Sequence, residues 1–239
     1  MGSVVSNDTI SLLLDRIAAH GTQDRAEGSK AYLKSQLHHL GARVGDVRRE
    51  TRRWIDEHPV TLDDLSRMWD MPIFEAKLAA VEAAEVLHPD VDARLALQVA
   101  ERWTREAGTW ALVDPLATKV VPPLLASIPD ADEVLDRWAA DGDFWVRRAA
   151  LLALLPDLRA GGGDFDRFGR YADDMLDETE FFIRKAIGWV LRDTGRKRPD
   201  LVYQWILPRA DRASGVTIRE AVKPLTAEQR RAVLEARKR

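Results

Sequence analysis

Phe144-Trp145-Val146-Arg147-Arg148-Ala149-Ala150-Leu151-Leu152-Ala153-Leu154 stands 37 residues ahead of Phe181-Phe182-Ile183-Arg184-Lys185-Ala186-Ile187-Gly188-Trp189-Val190-Leu191. The two segments match in Phe, Arg, Ala and Leu, and pair Val146 with Ile183 and Arg148 with Lys185. A chain that repeats at this interval with helix-forming content is tightly constrained. Helical-hairpin repeats have periods of about 34 or about 40–47 residues, and each unit buries its apolar face only by stacking on its neighbours. Phe74-Glu75-Ala76-Lys77-Leu78-Ala79-Ala80 reads as a third, degenerate copy.

The rest of the chain agrees with this. Apolar residues recur at helical spacing, first at Ile10, Leu13, Leu14 and Ile17 behind a cap at Ser6 or Asn7, then at Tyr32, Leu33, Leu37 and Leu40, ending at Gly41. Further helices are predicted over 46–57, 61–69, 73–87, 91–106, 109–114 or beyond, 119–127, 131–140, 144–155, 165–175, 180–193, 198–206 and 217–237. The breaks carry turn chemistry at His58-Pro59, Met71-Pro72, His88-Pro89, Val121-Pro122-Pro123 and Leu207-Pro208, while Gly161-Gly162-Gly163 reads as a loop between repeats. No alternating β-branched run predicts a sheet, and no long linker divides the chain, so residues 1–239 are read as one all-α domain of stacked helix pairs. The phrase Asp143-x-x-Val146-Arg147-x-Ala149 is HEAT-like.

Composition excludes several chemistries. The chain has 239 residues, 46% hydrophobic and 31% charged, enough to bury a sizeable core. With no cysteine there is no disulfide and no thiolate nucleophile or ligand, and the five histidines, His20, His38, His39, His58 and His88, form no metal-ligand pair. Neither a leader nor a membrane span is read, which predicts a cytoplasmic protein. The net charge of −3 argues against indiscriminate nucleic-acid binding, but its distribution is uneven. Acids collect in Asp130-Ala-Asp-Glu133 and Asp173-Asp-Met-Leu-Asp-Glu178. Bases collect at Arg48-Arg49, Arg52-Arg53, Arg147-Arg148, Arg184-Lys185, Arg192, Arg196-Lys197-Arg198 and Arg237-Lys238-Arg239. Such clusters either coat exposed helix faces or gather on one DNA-binding surface.

Two pairs at helical spacing suggest chemistry. Lys185 and Trp189 are four apart, which puts a cation and a large π-face on one stripe, suited to a phosphate backbone beside a base or sugar. Trp110 and Asp114 have the same spacing. The structural alternatives are definite: the tryptophans as packing, Asp114-Pro115 as an N-cap followed by the first helical residue, and Arg147 and Arg184 as ties between repeats. Trp54, Trp69, Trp103, Trp138 and Trp205 are assigned to packing.

Tyr32-Leu33-Lys34 with Leu40-Gly41, Trp110-x-x-Val113-Asp114, Trp145 to Ala150, and Phe181 to Arg192 occur in order over nearly the whole chain, and together they resemble the AlkD-like DNA alkylation-repair glycosylases. That resemblance implies an all-α superhelical solenoid of HEAT-like antiparallel helix pairs with a concave DNA-binding face, acting as a monomer on duplex DNA. It implies hydrolysis of the N-glycosidic bond of cationic N3- and N7-alkylated purines, with no metal or other cofactor and without extrusion of the base. By position, Asp114 corresponds to the catalytic aspartate, Trp110 and Trp189 to tryptophans flanking the lesion's deoxyribose, and Arg148 to a DNA-contacting arginine. Tyr32, Lys185 and Arg192 fall in matching segments as DNA contacts. Two other functions are weighed against this one. A non-catalytic protein of the same fold that binds branched or damaged DNA needs no acid at Asp114, and a protein–protein scaffold needs neither Arg148, Lys185 nor Trp189.

Overall fold

The computed structural model describes residues 5–87, 91–129 and 131–238; His88, Pro89, Asp130 and Arg239, which entered the reading of turns and charge clusters, lie outside them. Regular structure in the described residues is helical, apart from one isolated bridge between His38 and Ile73. Cα proximity divides the span read as one domain into two compact units, Met1–Pro129 and Asp130–Arg239.

The first unit contains α1 (Asn7–Ala18), α2 (Gln23–Leu33), α3 (Val44–Glu57), α4 (Leu62–Asp70), α5 (Phe74–Leu87), α6 (Ala93–Glu106), α7 (Trp110–Pro115), a π-helical turn (Leu116–Val120) and α8 (Val121–Ala126). Ser6 caps α1 as predicted, and Thr61 and Asp64 form a capping box on α4. Its core is centred on α5, buried all round from Phe74 to Ala84, with Trp54, Trp69 and Trp103 fully buried about it. The helix buries three charged residues as well, Glu75, Lys77 and Glu82, each of them paired.

The second unit contains α9 (Asp132–Ala139), α10 (Phe144–Ala153), α11 (Leu155–Ala160), α12 (Phe165–Asp174), α13 (Phe181–Gly195), α14 (Pro199–Ile206) continuing into a 3₁₀ turn (Leu207–Arg209), α15 (Gly215–Ala221) and α16 (Ala227–Ala236). The glycine triplet is a loop, with Gly161 and Gly163 at positive φ (97° and 70°) where other residues are strained.

The repeat has a physical signature in both units. The fourth residue of α5, α10 and α13 is a cation that reaches back to a carbonyl before its own helix: Lys77 Nζ to Trp69, Arg147 Nη1 to Asp141, and Arg184 Nε to Glu178. Further polar ties join positions one repeat apart. Arg48 binds Glu82 34 residues on, Tyr171 binds Asp136 35 residues back, Arg209 binds Asp173 36 residues back, and the Thr217 hydroxyl donates to the Arg184 carbonyl 33 residues back. Arg147 is therefore a tie between repeats, as its position suggested, pairing with Glu178 31 residues on at 2.9 Å, whereas the Arg184 side chain holds the Glu178 carbonyl just ahead of its own helix.

Three expectations are corrected. The helix expected to end at Gly41 ends at Leu33, with Lys34 left-handed (φ 51°). Glu75 accepts the backbone N–H groups of Leu40 and Gly41 at 2.8 Å each, withdrawing them from any helix. The single helix predicted over 217–237 is two, α15 and α16, parted at Pro224. The helix expected over 144–155 ends at Ala153, and Leu155–Ala160 form a separate helix behind Leu154.

Candidate functional site

In the first unit, Thr109 opens α7 by accepting the Ala111 N–H on its hydroxyl. Trp110 is then the first residue of the helix and Asp114 lies one turn further along the same stripe. The N-cap alternative for Asp114-Pro115 is thus excluded: Asp114 sits inside the helix. Pro115 has no N–H to return to the preceding turn, and directly after it the helix widens into the π segment. The Thr118 hydroxyl donates to the Asp114 carbonyl at 2.7 Å, and Lys119 fastens the segment to α5 by Glu85 at 2.9 Å. Trp110 and Asp114 are each partly exposed.

Tyr32 comes to the same place from a distant part of the sequence. It lies in the last turn of α2, is 74% exposed, and stands perpendicular to Trp110 with ring centroids 6.1 Å apart. No residue of α2 is fully buried, so the helix is positioned by polar contacts. Arg25 donates to the carbonyls of Gly41 and His20, and Ser29 meets His39 Nδ1 at 3.0 Å. His39 in turn stacks on Phe74, 4.6 Å away, and burial outweighs the pull of Glu75 to lower its pKa.

In the second unit the carrier is α13, packed closely on α15. A Cβ on Gly188 would stand 3.0 Å from Glu220 Cβ, tighter than most Cβ contacts, and one on Gly195 2.5 Å from Pro224 Cγ, which only a shift could accommodate. Lys185, Trp189 and Arg192 belong to this helix. The Trp189 indole donates to Asp193 Oδ2 at 3.0 Å, and the Arg159 guanidinium lies 5.9 Å from its ring centroid. Lys185 Nζ is 3.6 Å from Glu220 and its side chain is 44% exposed. Arg192 bridges Asp193 at 3.0 Å and Glu220 at 2.6 Å.

Two acids that sequence reasoning missed organise this cluster. Asp193, 3% exposed, receives Trp189, Arg192 and Arg159, with Arg196 at 3.8 Å; Glu220 receives Arg192 and Lys223, with Lys185 nearby. Burial alone pushes both carboxyls up. The donors reverse the sign: Asp193 is held below its ordinary value by Arg192, Arg159 and Trp189, and Glu220 is lowered to about 2 by Lys223 and Arg192. One signal was present in the sequence, since Trp189-x-x-x-Asp193 repeats the spacing of Trp110-x-x-x-Asp114.

Arg148, expected at DNA, is placed differently. It is 2% exposed, donates to the Phe182 carbonyl and lies 5.9 Å from the Phe182 ring, so it ties α10 to α13. The following repeat covers it, and it reaches a phosphate only by leaving that interface. Trp54, Trp69, Trp103 and Trp138 are core, while Trp205 is partly buried against Phe168 and beneath Arg209. Among the described residues no cluster of His, Asp and Glu is arranged to hold a metal ion, and no helix is long and apolar enough to cross a membrane.

Comparison with known proteins adds sequence and fold. A family model described as DNA alkylation repair enzyme matches residues 13–225. A predicted DNA alkylation repair enzyme from Enterococcus faecalis is similar in structure at a TM-score of 0.76 and 20% identity, over 87% of this chain and 98% of that one. AlkD2 from Streptococcus mutans is similar at 0.51 and 16% identity, over 97% of each chain. At these identities the likeness shows the fold. No curated protein matches the chain.

Proposed function

The chain belongs to the DNA alkylation repair enzyme family, and from that premise we propose that it is a DNA glycosylase hydrolysing the N-glycosidic bond of cationic N3- and N7-alkylpurines in duplex DNA, without extruding the base. The observation that carries this reading is the Tyr32–Trp110 pair with Asp114 one helical turn from Trp110, all at least partly exposed.

Alkylation at N3 or N7 makes the purine cationic and a good leaving group, and its departure leaves positive charge growing on the sugar. A carboxylate directed at that sugar stabilises the transition state and orients the attacking water, the role proposed for Asp114. The indole faces of Trp110 and Trp189 add cation–π attraction of about 0.5–2 kcal/mol each, larger where water is excluded. This is modest catalysis, and a labile cationic substrate needs no more. An undamaged neutral purine neither leaves easily nor attracts the π-faces. Lys185 and Tyr32 are the DNA contacts best supported by exposure.

The test is incubation with duplex DNA carrying a single N7-methylguanine, read as abasic sites above spontaneous depurination. Release supports the glycosylase; tight binding to damaged or branched duplex with no release would instead favour a non-catalytic DNA-binding protein of this fold.

A further inference from the structure

Resting on the glycosylase reading, we infer that Asp193 is the positioning residue for Trp189, orienting its indole and determining how much of the surrounding positive charge is available to DNA. The carboxylate has two oxygens with divided duties. Oδ2 takes the Trp189 indole N–H at 3.0 Å and the Arg159 Nε at 2.9 Å, so ring and guanidinium share one anchor. Oδ1 takes Arg192 Nε at 3.0 Å and lies 3.8 Å from Arg196.

Both anchored groups lie near solvent while the anchor does not. Trp189 is partly exposed, the Arg159 side chain is 47% exposed, and Asp193 is nearly enclosed. An indole on a helix surface has two free χ angles. A hydrogen bond from Nε1 to a carboxylate on the next turn of the same helix, with Arg159 beside the ring, leaves one orientation. A buried anion serving only stability would not need an indole among its donors, since Arg159 and Arg192 already pair with it. Trp110 and Asp114 have the same spacing, but there the resemblance assigns the carboxylate to the reaction itself; in the second unit the acid is turned inward and the tryptophan is the group presented.

The consequence is an opposition of sign. Arg192 keeps its second partner, Glu220, but Asp193→Asn, while preserving an acceptor and the volume, removes the charge that occupies Arg159 and Arg196. Those cations become available to phosphates, so affinity for undamaged duplex rises and the slope of log affinity against log salt steepens by about one. The indole is released at the same time, and single-turnover excision at saturating DNA falls by about tenfold to a hundredfold. A purely structural role predicts instead that binding and excision weaken together with thermal stability.

The experiment uses the full chain as wild type, Asp193→Asn, Trp189→Phe and the double variant. Each is measured for excision of N7-methylguanine, for affinity to undamaged duplex across salt, and for hydrogen exchange of the Trp189 indole N–H, identified by its loss in Trp189→Phe. Expected are faster indole exchange and tighter binding in Asp193→Asn, slower excision, and a double variant no slower than Trp189→Phe alone. Unchanged excision in folded Asp193→Asn, additive effects in the double variant, or an indole exchanging equally fast in wild type would overturn the inference. If Asp193→Asn fails to fold, Trp189→Phe decides: it must slow excision while leaving the salt slope unchanged. If the wild type releases no base, the glycosylase reading falls by itself, and indole exchange with the salt slope still decides the role of Asp193.

Discussion

Tyr32 and Trp110 meet edge to face, their planes at 90° and centroids 6.1 Å apart, although one ends a helix with no fully buried residue and the other begins a helix held by Thr109. The contact sets the hydroxyl-bearing ring beside the indole whose helix carries Asp114 one turn on. Tyr32→Ala is therefore expected to slow excision of a cationic alkylpurine, while Tyr32→Phe, which preserves the ring contact, retains most of the rate. Because Tyr32 is largely exposed, both variants should melt within about 1 °C of wild type, the change corresponding to a few tenths of a kcal/mol at most. Equal rates for Tyr32→Ala and wild type would remove the aromatic pair from the site.

Asp114→Asn separates chemistry from structure. It removes a charge that matters mainly as positive charge develops on the sugar, so excision should fall by roughly 10²-fold or more with duplex affinity little changed. The π segment after Pro115 is held by Thr118 at the backbone carbonyl of Asp114 and by Lys119 at Glu85. Near wild-type excision by the pure variant would sink the catalytic assignment.

Arg148 and Lys185 occupy equivalent positions in the two copies and are expected to behave oppositely. Arg148 is covered by the following repeat and gives its charge to a buried carbonyl, so Arg148→Ala should cost about 2 kcal/mol of stability with an unchanged salt slope. At Lys185 the side chain is 44% exposed. Lys185→Ala should therefore shift the urea midpoint far less than Arg148→Ala and reduce the salt slope by about one. A reduced salt slope in Arg148→Ala would show that the arginine swings out to the phosphate backbone.

This pair also marks where the sequence stops being informative. The helix pairs, the α13 stripe and the Trp110–Asp114 turn are legible because periodicity and i,i+4 spacing are local properties. The direction of Arg148 is not local, since it depends on Phe182, 34 residues away. The loop after α2 was misread for the same reason: Leu37 and Leu40 continue an apolar spacing, but Glu75, a repeat later, takes the N–H groups a helix would need. Asp193 and Glu220 look like ordinary surface acids in sequence; the first meets Arg159 from α11, 34 residues away, and the second meets Arg192 and Lys185 only through the close approach of α13 to α15.

The acid limb of stability should report Glu220. Its folded-state pKa lies near 2 against an ordinary 4.5, with Lys185, Arg192 and Lys223 facing it. A depressed carboxylate contributes stability that is present above its unfolded value and is lost as pH falls through the window from about 4.5 to about 2. Urea midpoints measured across that window should drop for wild type, and Glu220→Gln should start lower at neutral pH and decline less steeply. Parallel curves would mean that other carboxylates dominate, Asp193 and Asp64 being further acids whose values are lowered.

What the enzyme senses is best tested on the lesion itself. If Trp110 and Trp189 respond to positive charge on the nucleoside, replacing either by Ala should slow excision of N3- or N7-alkylpurines, and the wild type should leave neutral uracil and hypoxanthine in place. If the base also stays in the helix, no cavity wall limits its size. Single-turnover rates on duplexes with progressively larger N3- or N7-substituents, each corrected for spontaneous depurination, should then vary little with bulk. An enzyme that draws the base into a pocket would instead lose activity steeply as the adduct grows. A sharp size cutoff would overturn the pocketless mechanism and leave the family assignment standing, whereas efficient release of uracil would end the charge-sensing argument, because a neutral base offers the indole faces nothing to attract until its bond is already breaking.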